Sequence, residues 1–318
     1  MKILIFGNGY LGNRCADVWG DEAVVSSVHV MSKHDALDEI RRHQPDAVLN
    51  AAGVKGRPNV DWCEDHQCET IRGNTIMPLL LADACQEAGV YLLHMGSGCI
   101  FYGDSHHEDR AWREEDFGNP SAVYSRAKWA ADLTLSTLPN VGIARIRMPI
   151  DWKPSAGNLI DKLATYPKII DVENSVTIID DMINVFYQLM HKRASGIFHV
   201  TNPGTMKHKE LIALYQELVN PNHTCEWISN DELVTQGLAK KGRSNNFLAN
   251  TRLGDYEISM RSVQEALRDT MQKYARAQAT ESMCHGEGCG SGACEGEGCG
   301  NGGCCQDDDD SAGTCCCG

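Results

Sequence analysis

Apolar residues in the first half of the chain fall into short runs separated by amphipathic stretches. Lys2 to Phe6 is such a run, with a glycine turn behind it and a helical stretch from there to about Val18. Further runs at Ala47 to Asn50, Tyr91 to Met95 and Val141 to Arg147 predict strands. Each follows apolar positions at helical spacing, about Ala36 to Arg42, Glu69 to Ala88 and Ser125 to Leu138. Strands alternating with helices predict a parallel sheet covered on both faces, because parallel neighbours need long crossovers. Beyond Pro149 the pattern loosens into helical stretches at about Ala156 to Ala164, Asp180 to His191, His208 to Leu218 and Val263 to Ala277, with an apolar strand at Gly196 to Val200. The expected fold is α/β, a Rossmann-type doubly wound parallel sheet over residues 1–150. A smaller substrate-binding cap covers 151–280, with some return to the sheet.

The end of the chain follows neither period. From about Glu281 it contains a near-repeat, Gly286-Glu-Gly-Cys-Gly-Ser-Gly-Ala-Cys-Glu295 and then Gly296-Glu-Gly-Cys-Gly-Asn-Gly-Gly-Cys-Cys305. With no apolar face to bury, residues 281–318 are expected to form a disordered low-complexity tail. Cys284, Cys289, Cys294, Cys299 and Cys304 recur every five residues in it. Thiolates bind soft metals, but structural zinc sites favour closer spacing, so soft-metal binding and an inert extension both stay open.

This tail changes how the charge is read. Of the net charge of −14, the eight acids after residue 280 account for −8 and leave −6 for the rest, which carries every Lys and Arg. No nucleic-acid footprint follows from that balance. The body's six cysteines are scattered, the chain starts without a secretory leader, and no apolar run is long enough to span a bilayer. A cytoplasmic enzyme with free thiols and no membrane contact is expected.

Two constellations carry chemistry. Gly7-Asn8-Gly9-Tyr10-Leu11-Gly12 follows the first strand and opens the first helix. There the first glycine makes the turn, the second admits a pyrophosphate and the third lets helix and strand pack closely. The helix N-terminus offers N–H groups to phosphates. The stretch after Val24 holds no acid to take a ribose 2′-hydroxyl, which favours NADPH over NADH, with Ser27, His29 or Lys33 as partners for a 2′-phosphate. The second constellation is Tyr124-Ser-Arg-Ala-Lys128, a phenol and an ammonium on one helical face. The cation is expected to lower the phenol's pKa toward neutrality, so that Tyr124 can protonate an alkoxide as hydride reaches a carbonyl. Ser97, at the end of the Tyr91 strand, can donate to the same oxygen.

Together these features resemble the extended short-chain dehydrogenase/reductases. Asn50-Ala51-Ala52-Gly53 matches that family's turn beside the cofactor, and Asn74 its structural partner for the lysine. Longer stretches, Asn50 to Glu64, Gly98-Cys-Ile-Phe101, Arg145-Ile-Arg-Met-Pro-Ile150, Asn174-Ser-Val-Thr-Ile178, Thr201-Asn-Pro-Gly204 and Arg243-Ser-Asn-Asn246, are similar to the nucleotide-rhamnose synthases among them. This resemblance implies a 3,5-epimerase/4-reductase acting on a nucleotide-linked 4-keto-6-deoxyglucose, with UDP as the expected nucleotide. It implies Cys99 and Lys162 as the epimerising pair and Asn174 and Arg243 as substrate contacts. The alternatives are a 4-reductase alone, like the dTDP-4-dehydrorhamnose reductases, or a non-catalytic dinucleotide-binding subunit. Whether the chain forms a homodimer stays open. The glycine turn is one residue shorter than the usual form, and no basic pair follows the second strand.

Overall fold

The computed structural model describes residues 1–57 and 59–285. Its core is a six-stranded parallel sheet: β1 Ile3–Phe6, β2 Ala23–Ser26, β3 Ala47–Asn50, β4 Tyr91–Ser97, β5 Val141–Ile146 and β6 Gly196–His199. Across the sheet the order is β6-β5-β4-β3-β1-β2. The chain winds outward from β1 to β2 and then returns to β3 on the other side. The crevice beyond the carboxyl ends of β1 and β3 is therefore the switch point where such sheets take ligands.

Strand alternation explains the two covered faces. Ile3 and Ile5 join a core with the helices Tyr10–Trp19 and Ile179–His191, whereas Leu4 and Phe6 join another with Lys33–His43, Met77–Ala88 and Val123–Leu135. A third cluster, including Ile150, Leu163, Leu211 and Tyr274, holds together the helices Leu159–Thr165, His208–Leu218 and Val263–His285. Small two-stranded pairs close that region, among them Glu173–Asn174 with Met206–Lys207 and Lys168–Ile170 with Glu226–Ile228. Although Ile179–His191 and β6 lie beyond residue 150, both pack into the main sheet.

Three local features differ from the sequence pattern. The stretch expected as one helix over 69–88 is helical over Gln67–Ile71 and Met77–Ala88, with a π turn over Arg72–Ile76 between them. Pro78 brings no N–H to the ladder, which favours a wider turn just before it. The last helix runs to His285, so Cys284 falls on its final turn. Cys289, Cys294, Cys299 and Cys304 lie outside the described residues. Finally, the chain leaves β4 through a single 3-10 turn, Gly98–Ile100, rather than in strand geometry. Cys99 is therefore placed by that turn.

Candidate functional site

The glycine turn sits at the switch point, and each glycine there has a separate reason. Gly7 has φ +118°, and a Cβ on it would lie 2.4 Å from the Ala52 nitrogen. A Cβ on Gly12 would lie 2.1 Å from the Gly7 carbonyl oxygen. Gly9 is different: nothing lies within 4 Å of its Cβ position. Packing within the protein requires the outer two to be bare, and space for a ligand explains the middle one. The helix they open has no side-chain cap and no acid in its first turn, so its N-terminal N–H groups keep their capacity for an anion. These residues fit a dinucleotide's pyrophosphate. The side chains of Tyr10 and Leu11 turn elsewhere: the Tyr10 hydroxyl donates to Asp151 Oδ2 at 2.7 Å, and Leu11 packs on the core.

The opposite wall of the crevice is the Asn50–Gly53 turn. Asn50 Oδ1 accepts from the Ala52 N–H at 3.1 Å, and Ala51 donates its N–H to the Phe6 carbonyl, 2.8 Å away. Gly53 faces two buried groups: a Cβ there would meet Asn74 Oδ1 at 2.9 Å and Lys128 Nζ at 3.5 Å. Asn74, on the π turn, accepts from the Val54 N–H at 3.2 Å and donates to the Val54 carbonyl at 2.7 Å. It fixes the strip of backbone against which the lysine lies. Of the groups considered for a 2′-phosphate, Lys33 is already paired, with Asp83 at 2.7 Å and Glu87 at 2.9 Å.

Tyr124 and Lys128 project from Val123–Leu135 into this region, and Lys128 Nζ donates to the Met95 carbonyl at 3.1 Å. The expectation that the lysine draws the phenol toward neutrality does not hold in the free protein. Burial drives each group toward its uncharged form. Lys128 is lowered to about 8 by desolvation, against Asp132 and Cys99, which favour its charge. Tyr124 is pushed well up by desolvation and by Cys99, while a hydrogen bond with Ser97 opposes the rise. A phenol in that state stays protonated and has a proton to give. Ser97 Oγ accepts the Cys99 N–H at 3.2 Å and is also hydrogen-bonded to the phenol.

Beyond Tyr124 opens a cavity of about 670 Å³, whose wall includes Cys99, Tyr124, Arg147, Lys162, Asn174 and Arg243. The sequence-derived residues of both proposed reactions thus meet here, with Ser97 and Lys128 just behind the wall. Lys162 Nζ donates to the Gly157 carbonyl at 3.1 Å, and burial, then the neighbouring Lys55, lowers its pKa. Asn174 and Arg243 are both engaged with protein. Asn174 Oδ1 accepts from Arg147 Nη2 at 2.7 Å and from the Asn246 N–H at 3.1 Å, and its Nδ2 donates to Asn245 Oδ1 at 3.1 Å. Arg243 clamps Asp61 with two bonds of 2.9 and 3.0 Å.

Sequence reasoning missed Arg147, Asp61 and Asp151. Asp151 is buried and joins Arg14 Nε at 2.5 Å as well as Tyr10, tying the cofactor helix to the segment after β5. The available signal for Arg147 was a second arginine two residues after Arg145 in an otherwise apolar strand. A buried cation there demands partners.

Residues 1–276 match the family model described as the RmlD substrate binding domain. The chain belongs to this family. A bifunctional dTDP-4-dehydrorhamnose 3,5-epimerase/dTDP-4-dehydrorhamnose reductase of Arabidopsis thaliana is 35% identical over 276 residues, 84% of this chain and 91% of the relative. Among solved structures, the UDP-rhamnose synthase of Acanthamoeba polyphaga mimivirus is 30% identical with a TM-score of 0.79, covering 86% of this chain and 99% of that one. A dTDP-4-dehydrorhamnose reductase of Bacillus anthracis in complex with NADP shares the fold at 19% identity and a TM-score of 0.73, over 85% and 99% of the two chains. As a member of this family the chain is an oxidoreductase with a Rossmann-like sheet.

Proposed function

We propose that the protein is an NADPH-dependent 3,5-epimerase/4-reductase that converts UDP-4-keto-6-deoxyglucose to UDP-rhamnose. The observation that carries this reading is the shared cavity: the acid for ketone reduction, Tyr124, and the epimerising pair, Cys99 and Lys162, all line it. A C4 ketone acidifies the hydrogens at C3 and C5, so one base and one acid can invert each centre through an enolate. Proton removal leaves the electron pair on the C4 oxygen, and reprotonation from the other face returns the ketone. NADPH, when bound along the glycine turn, supplies the hydride for C4. Tyr124 then protonates the C4 oxygen, while Ser97 holds it with a hydrogen bond and Lys128 steadies the charge behind. Gly7, Gly9, Gly12 and the turn Asn50, Ala51, Ala52, Gly53 form the dinucleotide's seat. The absence of an acid after β2 supports NADPH over NADH. Arg243 supplies positive charge to the sugar's diphosphate on leaving Asp61, and Asn174 lines the same cavity.

The deciding experiment is incubation with UDP-4-keto-6-deoxyglucose in D₂O without cofactor, followed by mass spectrometry. Deuterium at both C3 and C5 is expected, and addition of NADPH should then give the rhamnose configuration. No exchange, together with reduction of a 4-keto sugar already epimerised, would leave a 4-reductase alone.

A further inference from the structure

Arg147 is a closely held side chain on the cavity wall. It lies just past the end of β5, only 6% exposed. Its Nη1 donates to the Cys99 sulfur at 3.2 Å, and its Nη2 to Asn174 Oδ1 at 2.7 Å and also to the Ser244 carbonyl. Its Nε is buried without a side-chain or backbone partner. A planar fork held on one side by Asn174 and Ser244 therefore presents its other tine to a single thiol. Arginine's rigid geometry suits that task, and a fixed cation beside sulfur supports negative charge on it.

We infer that Arg147 is the positioning residue of the epimerisation: its hydrogen bond aims the Cys99 sulfur at the sugar and sets a positive charge beside it. This rests on the epimerase reading above and assigns the two ends of the reaction. Cys99 thiolate takes the proton from C3 or C5, forming an S–H bond as the C–H electrons pass to the C4 oxygen. Lys162, as ammonium, gives a proton to the opposite face of the same carbon. The resulting thiol and amine return to their starting states by exchange with solvent. Asn174 then matters because it holds the guanidinium.

Other charged groups face the sulfur. Tyr124 and Lys128 approach from Val123–Leu135, both electrostatically linked to Cys99. Lys162 and His208 share the cavity wall, as do Asp61 and Glu64, which are paired with Arg243 and Lys241. Arg147 alone among these makes a hydrogen bond to the thiol.

The test uses the full-length protein and two readouts across the neutral and alkaline range. One is iodoacetamide alkylation of Cys99, followed on its own peptide by mass spectrometry; the other is deuterium exchange at C3 and C5 without cofactor. In Arg147→Met the alkylation midpoint should move to higher pH by about one unit, and exchange at neutral pH should fall at least about tenfold. Arg147→Lys should recover most of the midpoint and only part of the exchange, since an amine cannot bridge sulfur and Asn174 together. An arginine that merely ties three segments together would leave the alkylation profile of a folded Arg147→Met unmoved, and that result overturns the inference. Should that variant not fold, Arg147→Gln keeps a donor to the Ser244 carbonyl, carries the same two readouts and overturns the inference in the same way. The two readings fail separately. Wild-type exchange with an unmoved profile sinks the role of Arg147 alone, whereas a moved profile without wild-type exchange sinks the epimerase.

Discussion

Residues that look alike in the sequence do different work, and the glycine turn makes the point testable. Gly12→Ala would press a methyl against the Gly7 carbonyl and should cost about 3 kcal/mol in urea unfolding. Gly9→Ala meets nothing and has φ −110°, so its stability should stay the same or rise by up to about 1 kcal/mol. Its NADPH Kd, read by fluorescence titration, should nonetheless rise about tenfold, because the methyl stands where a pyrophosphate must approach. An unchanged Kd in Gly9→Ala would remove the cofactor from this turn. Lys128 supplies a second test. Its folded pKa of about 8 leaves it charged below that pH and neutral above it. Reduction of a pre-epimerised 4-keto sugar should therefore fall as pH rises through about 8, and the limb should vanish with most of the turnover in Lys128→Met. The sequence made Tyr124 and Lys128 legible because their spacing is local, and Ser97 because it ends a strand. It could not show that burial drives the tyrosine and the lysine toward their uncharged forms, since burial is set by segments far away in the chain. Arg147 escaped for a related reason: its partners Cys99, Asn174 and Ser244 come from three separate stretches.

Elements were legible where a period had room to repeat. β3 and the helix His208–Leu218 lie within the bounds that the apolar pattern assigns them. The exit from β4 was not legible, because a three-residue turn has no period and its geometry depends on the Ser97 hydroxyl accepting the Cys99 N–H. The link between Tyr10–Trp19 and the segment after β5 was equally hidden, although it secures the cofactor helix. Arg14 and Asp151 are both buried there, with Asp180 a weaker neighbour at 3.7 Å from Arg14 Nη2. Asp151→Ala strands the guanidinium and leaves the Tyr10 hydroxyl only the Lys153 carbonyl, 3.2 Å away. It should destabilise the protein by about 3 kcal/mol in urea unfolding, at the low end for a broken buried pair because Asp180 can take part of the charge. Tyr10→Phe, which leaves the ion pair standing, should cost only about 1 kcal/mol. Equal costs for the two variants would mean that the ion pair contributes nothing beyond the phenol's bond.

At the scale of the whole molecule, the cavity lies between the sheet's carboxyl edge and the region beyond residue 150, and charge closes its rim. Asp61, Glu64 and Asp65 on one side meet Arg243, Lys241 and Lys240 on the other, with Glu64 and Lys241 2.7 Å apart. These pairs are partly exposed, so each contributes about 0–1 kcal/mol to stability. On the proposed reading their larger effect is on the substrate, because a diphosphate bound by Arg243 would compete with Asp61 for the same two-pronged guanidinium. Asp61→Asn keeps the shape and removes the competitor. The melting temperature should hardly move, while the KM for the nucleotide sugar falls about threefold and kcat stays within about twofold, a difference of less than about 1 kcal/mol in binding. Arg243→Ala should raise the same KM by about tenfold or more, as expected on losing a charge-assisted contact. A rise in KM on Asp61→Asn would mean that Asp61 holds Arg243 in its binding position, so the pair would be a brace for the diphosphate site instead of its rival. The two signs are opposite, and steady-state kinetics at one ionic strength separates them. Raising the salt should lessen the Asp61→Asn effect in either case, because ions screen both the carboxylate and the diphosphate from the arginine.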